Sequence, residues 1–339
     1  TGMNPRTDAT FSSSLKVQAV ASLPTMTCVS SSLANAKMQF IWTEASGKFD
    51  DAEVETFISK NPLVLNIPPE SLQPLESYEF KVLGRMSNNH NLNNSASIVV
   101  EVAQQPLIAV IAGGSSRQVG QDSTFVLDAR ESEDPDESSE EFTYSWDCKS
   151  LSSDSCDGLG WASSTPITSN VSVSASSLAT GLYVFTLHVA KGSTRNATTT
   201  SNVEIVLGAP PVIVISGINS GIKFNTEEGQ VQLSATVTSS LAYTTQWLVS
   251  KSDVPSIFIS RGEIVATVSN ELAAIISLAA LTEGSAYTLQ LKATDSEGVS
   301  AVSTVSLNIN LSPSSGKIEV TPPTGFTLDT GFDFVAINW

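Results

Sequence analysis

The chain has 339 residues, 41% hydrophobic and 15% charged, which is enough for two to four apolar cores and too long for one sandwich of about 100 residues. Thirty-four acidic residues against 17 basic ones give a formal net charge of −17; nucleic acid is excluded as an expected partner, because a polyanion requires a basic footprint. Ser and Thr make up about a quarter of the chain, which favours short strands and polar turns over long helices.

Read from the N-terminus, the chain repeats itself with a period of about 100 residues, a Trp being followed about 36–40 residues later by a Tyr. In the first copy Phe40-Ile41-Trp42 is answered by Tyr78-Glu79-Phe80-Lys81-Val82, and the alternation Ile98, Val100, Val102 predicts the closing strand. Gln104-Gln105-Pro106 then reads as a linker. The second copy pairs Tyr144-Ser145-Trp146 with Tyr183-Val184-Phe185-Thr186-Leu187 and closes on Val203, Ile205 and Leu207, before Gly208-Ala209-Pro210-Pro211. The third pairs Gln246-Trp247-Leu248 with Tyr287-Thr288-Leu289-Gln290-Leu291 and closes on Val305, Leu307 and Ile309. The expected division is therefore 1–103, 104–207 and 208–310, with 311–339 opening a fourth module.

Period-2 alternation turns one set of side chains inward along each strand, so Trp42, Trp146, Trp247, Tyr78, Tyr183 and Tyr287 are read as core residues. The segment before each Tyr resembles the corner of a Greek-key sandwich, where a Tyr hydroxyl bonds back to upstream backbone. The apolar run Leu272–Leu281 is half the roughly 20 residues needed to cross a bilayer, and its place between Trp247 and Tyr287 reads as strand and turn. The chain opens on Thr1 without a visible signal peptide and stops at Trp339, and is read as part of something longer.

Cys148 and Cys156 flank one short segment after the Trp146 strand. A bridge between them would close that loop; two free thiols in a flexible loop is the alternative. Cys28 is left over and is read as a buried thiol of the first module, with pairing to another chain as the alternative. Sequons start at Asn93, Asn170, Asn196 and Asn310, a number that chance supplies in so Ser/Thr-rich a chain. Asn93 and Asn196 are placed in the loop between the Tyr strand and the closing strand, and are the stronger glycosylation candidates. Trp161 has no counterpart in the other copies and is expected either to cap the Cys148–Cys156 loop or to be exposed for contact.

Little in the sequence points to catalysis. His90 and His188 are the only histidines; His90 falls in a polar loop, His188 alternates to the outer face, and no nucleophile elbow, phosphate loop or zinc motif accompanies them. The chain is expected not to be an enzyme. The acidic stretch Glu131–Glu141, with Asp128, Asp134 and Asp136, could offer hard oxygens to Ca²⁺; Asp-Pro-Asp equally supplies turn chemistry with solvated like charges.

Phe125-Val126-Leu127-Asp128-Ala129-Arg130-Glu131-Ser132-Glu133-Asp134-Pro135-Asp136, running on to Tyr144-Ser145-Trp146-Asp147-Cys148, resembles the polycystic-kidney-disease (PKD) type of Ig-like repeat. The Cys after the Trp, with a second Cys a short loop later, is similar more specifically to the receptor-for-egg-jelly (REJ) region of polycystin-1-like proteins. Pro313-Ser314-Ser315-Gly316-Lys317-Ile318-Glu319-Val320-Thr321-Pro322, followed by Gly325-Phe326-Thr327-Leu328 and Phe334-Val335-Ala336-Ile337-Asn338-Trp339, resembles the opening of the later part of that region. Where the family usually has two cysteines, this chain has Ile318 and Ile337.

The repeat and the short Pro-bearing linkers predict an all-β chain of tandem Ig-like β-sandwich modules arranged as a semi-rigid rod, and the resemblance implies that they are of the PKD/REJ type. It implies a structural or adhesive extracellular segment of a cell-surface glycoprotein, ciliary or flagellar in location, with surface glycoproteins or a polycystin-like channel subunit as partners. No cofactor beyond Ca²⁺ is expected, and membrane attachment would lie outside this segment. A ligand-binding receptor module for glycan or protein, using Trp161 and the cysteine loop, and a repeat of a secreted filament or matrix protein are the alternatives. An accessory region of a secreted hydrolase is a remoter one.

Overall fold

The computed structural model describes residues 5–21, 37–151, 156–161, 166–218, 222–249, 256–265, 267–312, 317–321 and 333–337. By its internal contacts the chain forms two units, one of residues 1–106 with 134–138 and one of residues 107–133 with 139–339. Each is built from β-sandwich modules, and the all-β Ig-like reading holds in both.

The first unit contains β1 (Arg6–Thr10), β2 (Leu15–Gln18), β3 (Met38–Glu44), helix α1 (Asp51–Phe57), β4 (Val64–Ile67), β5 (Ser77–Met86) and β6 (Asn89–Ala103). One sheet has the order β1-β6-β5-β3 and β2 pairs with β4. Strand β5 shows why the sheet forms: Tyr78, Phe80 and Val82 are buried while Glu79 and Lys81 turn outward, so one face seals the core. Trp42, Leu65, Ile67 and Val100 complete that core. Helix α1 departs from the strand-only expectation. Asp50 accepts from the Glu53 backbone N–H and the Glu53 carboxylate accepts from Asp50 N–H, each at 2.8 Å, a reciprocal cap that starts the helix. Val54 and Phe57, one turn apart, bury its inner face.

The second unit begins with β7 (Ser116–Gly120), β8 (Thr124–Asp128), β9 (Phe142–Ser150), β10 (Asn170–Ser174), β11 (Gly181–Lys191) and β12 (Arg195–Val206). It continues with β13 (Val212–Ser216), β14 (Lys223–Phe224), β15 (Gln230–Thr238), β16 (Tyr243–Val249), β17 (Phe258–Ser260) and β18 (Glu263–Val265). Strands β19 (Val268–Ser269), β20 (Ala273–Ser277), β21 (Ala286–Asp295) and β22 (Ser300–Ile309) follow. The run Leu272–Leu281 is strand β20 and a 3₁₀ turn at Leu278–Ala280, as its position implied. A two-stranded ladder, β23 (Lys317–Thr321) with β24 (Asp333–Ile337), ends the described chain; Ile318 lies opposite Ala336 and Ile337 opposite Lys317.

Two cores lie within this unit, one centred on Trp146, Phe185 and Leu187, the other on Trp247, Phe258, Leu289 and Leu291. They lie under a single large sheet whose order is β19-β16-β21-β22-β7-β12-β11-β9, with β14 also on β22. The Gly208–Pro211 linker is therefore not the only tie between the second and third modules. The smaller sheets, β10-β8 and β13-β15-β20-β17-β18, supply the opposing layers. In all three modules an early strand runs parallel to the closing one: β1 with β6, β7 with β12 and β14 with β22.

The repeated aromatics are core residues throughout. Trp146 and Trp247 are fully buried, and Trp42, Tyr78, Tyr183 and Tyr287 nearly so. Each Tyr closes a corner: the Tyr78 hydroxyl accepts from Gln73 N–H at 2.8 Å, Tyr183 donates to the Ala179 carbonyl at 2.9 Å, and Tyr287 accepts from Thr282 N–H at 2.9 Å. The indoles differ. Trp42 Nε1 donates to the Pro62 carbonyl at 2.8 Å and Trp146 Nε1 to the Thr168 carbonyl at 2.9 Å, whereas Trp247 Nε1 has no partner among the described residues. Trp146→Phe removes a hydrogen bond to the Thr168 carbonyl, and Trp247→Phe removes none that the described residues make. In urea titrations the first substitution is expected to cost about 1 kcal/mol more than the second.

Candidate functional site

The segment that follows each Trp strand is where the modules differ most. After β3 it forms a turn and helix α1, after β9 the cysteine loop, and after β16 the β17–β18 hairpin. The sandwich frame around it is constant, so this position presents a different surface in each module.

In the first module the exit from β3 is organised by one carboxylate. Glu44 is buried and accepts from the backbone N–H groups of Ser46 at 2.8 Å, Lys48 at 2.7 Å and Glu79 at 3.1 Å. Burial alone would raise its pKa, but these N–H donors and the Ser46 hydroxyl together hold it below the ordinary Glu value. Such an acceptor stabilises the turn only while ionised.

In the second module Cys148 and Cys156 form a disulfide, eight residues apart with Cα atoms 5.8 Å apart. Cys156 is buried and Cys148 half-buried against the second core. Gly158 follows with no room for a side chain, since a Cβ there would lie 1.6 Å from the Ser177 carbonyl oxygen. Trp161 is not an exposed contact residue. It is half-buried on the same core, its ring edge-on to Phe185 with centroids 5.7 Å apart. The loop is thus fastened to the sandwich at the disulfide, at Gly158 and at Trp161.

The acidic stretch is engaged in turn chemistry. Asp134 accepts from the N–H groups of Asp136 and Ser138, each at 3.0 Å, and from the Ser138 hydroxyl at 2.7 Å. Asp136 is buried and accepts from Gln105 N–H at 2.9 Å. Asp128 is bound by Arg130, whose Nη2 lies 2.6 Å away, and that guanidinium lowers its pKa. Among the described residues no group of three or more His, Cys, Asp or Glu side chains is arranged to hold a metal ion, so the candidate Ca²⁺ ligands Asp128, Asp134 and Asp136 are not assembled into such a set.

The remaining candidates separate by setting. Asn93 and Asn196 lie on strands β6 and β12, not in loops, because the turns before them are short; both side chains are exposed. The Asn93 side-chain amide donates to the His90 carbonyl at 2.8 Å. Asn170 opens β10 and is exposed. Asn310 is half-buried and donates to the Asn225 side chain at 3.0 Å. His90 is also in β6 and not in a loop, and His188 pairs with Asp147 at 3.0 Å on the outer sheet face. Cys28 lies outside the described residues.

The REJ domain family matches residues 26–339. This chain belongs to the REJ domain family. No curated protein matches it. Similar solved structures include Drosophila OTK extracellular domains 3–5, at 13% identity over 90% of this chain and 94% of that one, TM-score 0.24. Others are Sidekick-1 immunoglobulin domains 1–5, at 16% over 95% and 61%, TM-score 0.21, and chicken CNTN1 FN1–FN3 domains, at 11% over 81% and 89%, TM-score 0.24.

Two features of this REJ chain escape a reading based on alternation: helix α1 and the Glu44 turn. The first had a signal in Asp50-x-x-Glu53; the second had none, because Glu44 closes a strand in which it reads as one more polar residue. Glu44→Gln is expected to cost about 1–2 kcal/mol at neutral pH. Because the folded pKa is depressed, the wild-type advantage over Glu44→Gln is complete above the ordinary Glu value and disappears as pH falls through the lower folded value, a trend that urea midpoints measured from pH 7 to pH 3 will check. Replacing both Cys148 and Cys156 by Ala should destabilise the second module by about 2.5 kcal/mol, the chain-entropy value for so short a loop, as read by chemical denaturation.

Proposed function

We propose that this REJ chain is a non-catalytic structural and adhesive segment of a large extracellular glycoprotein of polycystin-1-like type, displayed at a cell surface and in particular on a cilium or flagellum. The observation that carries the reading is the REJ match from residue 26 to the last residue. The Cys148–Cys156 disulfide supports an oxidising compartment. The aromatics are committed to cores and corners, which favours a scaffold over a sugar-stacking surface. Exposed Asn93, Asn170 and Asn196 are its glycan acceptors. Its partners are other surface glycoproteins or a polycystin-like channel subunit, met through strand edges such as that of β9 or through the segments that follow the Trp strands.

The alternative, a receptor module for glycan or protein, rests on those variable segments and no longer on Trp161. An antibody raised against this chain is expected to label intact, unpermeabilised cells, with signal concentrated along the cilium or flagellum. Labelling only after permeabilisation would overturn the extracellular reading; uniform surface labelling would remove the ciliary part alone.

A further inference from the structure

Strand β7 is used twice. Along one edge it runs parallel to β12, from Ser116 opposite Asn202 to Gly120 opposite Val206, and so completes the sheet of the second module. Along its other edge it runs antiparallel to β22, with Arg117 opposite Ser303 and Ser116 opposite Thr304. The third module's own early strand, β14, reaches only Asn308 and Ile309 of β22. Without β7 the preceding part of β22 would be an open edge.

The polar groups at this seam take their partners from across it. Ser115 N–H donates to the Thr304 carbonyl at 2.8 Å. Ser303, with no exposed surface, donates from its hydroxyl towards the carbonyls of Gly113 and Ser116, each at 3.2 Å. Val302 N–H donates to Gln118 Oε1 at 3.2 Å. Gly114 has φ +95°, and a Cβ there would lie 2.5 Å from the Thr304 carbonyl oxygen. Arg117 is buried in the shared strand, its Nη2 donating to the Val126 carbonyl at 2.7 Å and its guanidinium 5.3 Å from the centre of the Phe125 ring. Burial pulls its pKa down to about 10, so it is charged at neutral pH and ties β7 to the second core.

We propose that the second and third modules form one cooperative folding unit closed by β7, in place of two independent beads on a string. In a tandem array whose neighbours meet only at small interfaces, each module opens by itself. Here opening the second module withdraws β7, which strips the edge from β22 and leaves the buried Ser303 hydroxyl without its acceptors. Opening the third strips the same strand of its outer partner.

Hydrogen exchange on the full chain across a denaturant series tests this, with peptides of β11 and β21 reporting the two cores. Val173→Ala lies only in the second core and Ile276→Val only in the third. Each is expected to lower the opening midpoints of β11 and β21 together and by equal amounts, since a single shared opening exposes both strands. Gly114→Val is expected to split the common transition in two; should that variant not fold, Ser303→Ala, which removes only the two seam hydrogen bonds, should separate the two midpoints partially. The proposal is overturned if Val173→Ala moves β11 while β21 keeps its midpoint. A single transition that survives whichever seam variant folds overturns it as well.

Discussion

A backbone N–H or carbonyl that the sheet ladders leave unpaired needs another partner, and in this chain a small set of side chains supplies one at several corners and turns. The three corner tyrosines do so before their strands, Glu44 collects three N–H groups at the exit of β3, Asp134 collects two in the acidic turn, and the indoles of Trp42 and Trp146 each take up a carbonyl. Hydrophobic burial holds the sheets together, but it is non-directional. These directed bonds tie down the corners and turns at which they are made.

The repeating part of this arrangement is legible in the sequence because it has a period. Alternation of two residues places Tyr183, Phe185 and Leu187 on one face whatever the tertiary context, and a Trp with a Tyr about 36–40 residues later marks the same two strands three times. The non-repeating part has no period to read. Helix α1 is seven residues long and offers a cap and two apolar positions, too little to stand out against neighbouring strands. Asn93 and Asn196 read as loop residues because sequence fixes the existence of a hairpin better than its length. The shared role of β7 was not legible at all, since nothing in residues 116–120 says that the strand has two partners and the reason, the brevity of β14, lies about 100 residues away.

Variation is confined in an orderly way. The segment after the Trp strand is a capped helix in one module, a disulfide loop in the next and a hairpin in the third, while the strands that carry Trp and Tyr keep their places. Each such segment still sends residues into the core beneath it: Val54 and Phe57, Cys156 and Trp161, and Phe258. The described residues of the disulfide segment meet the module beneath at Cys148–Cys156, at Gly158 and at Trp161.

The double use of β7 also bears on the order of events during synthesis. Ser115 and Thr304 are 189 residues apart, and at typical translation rates the ribosome needs roughly 10–40 s to cover that distance. Throughout that interval the strands of the second module have been made while the outer edge of β7 has no strand beside it, the kind of edge that pairs readily with other chains. A nascent chain of this kind therefore passes through a defined window of vulnerability to chain-to-chain pairing, and that window closes only when β22 is made.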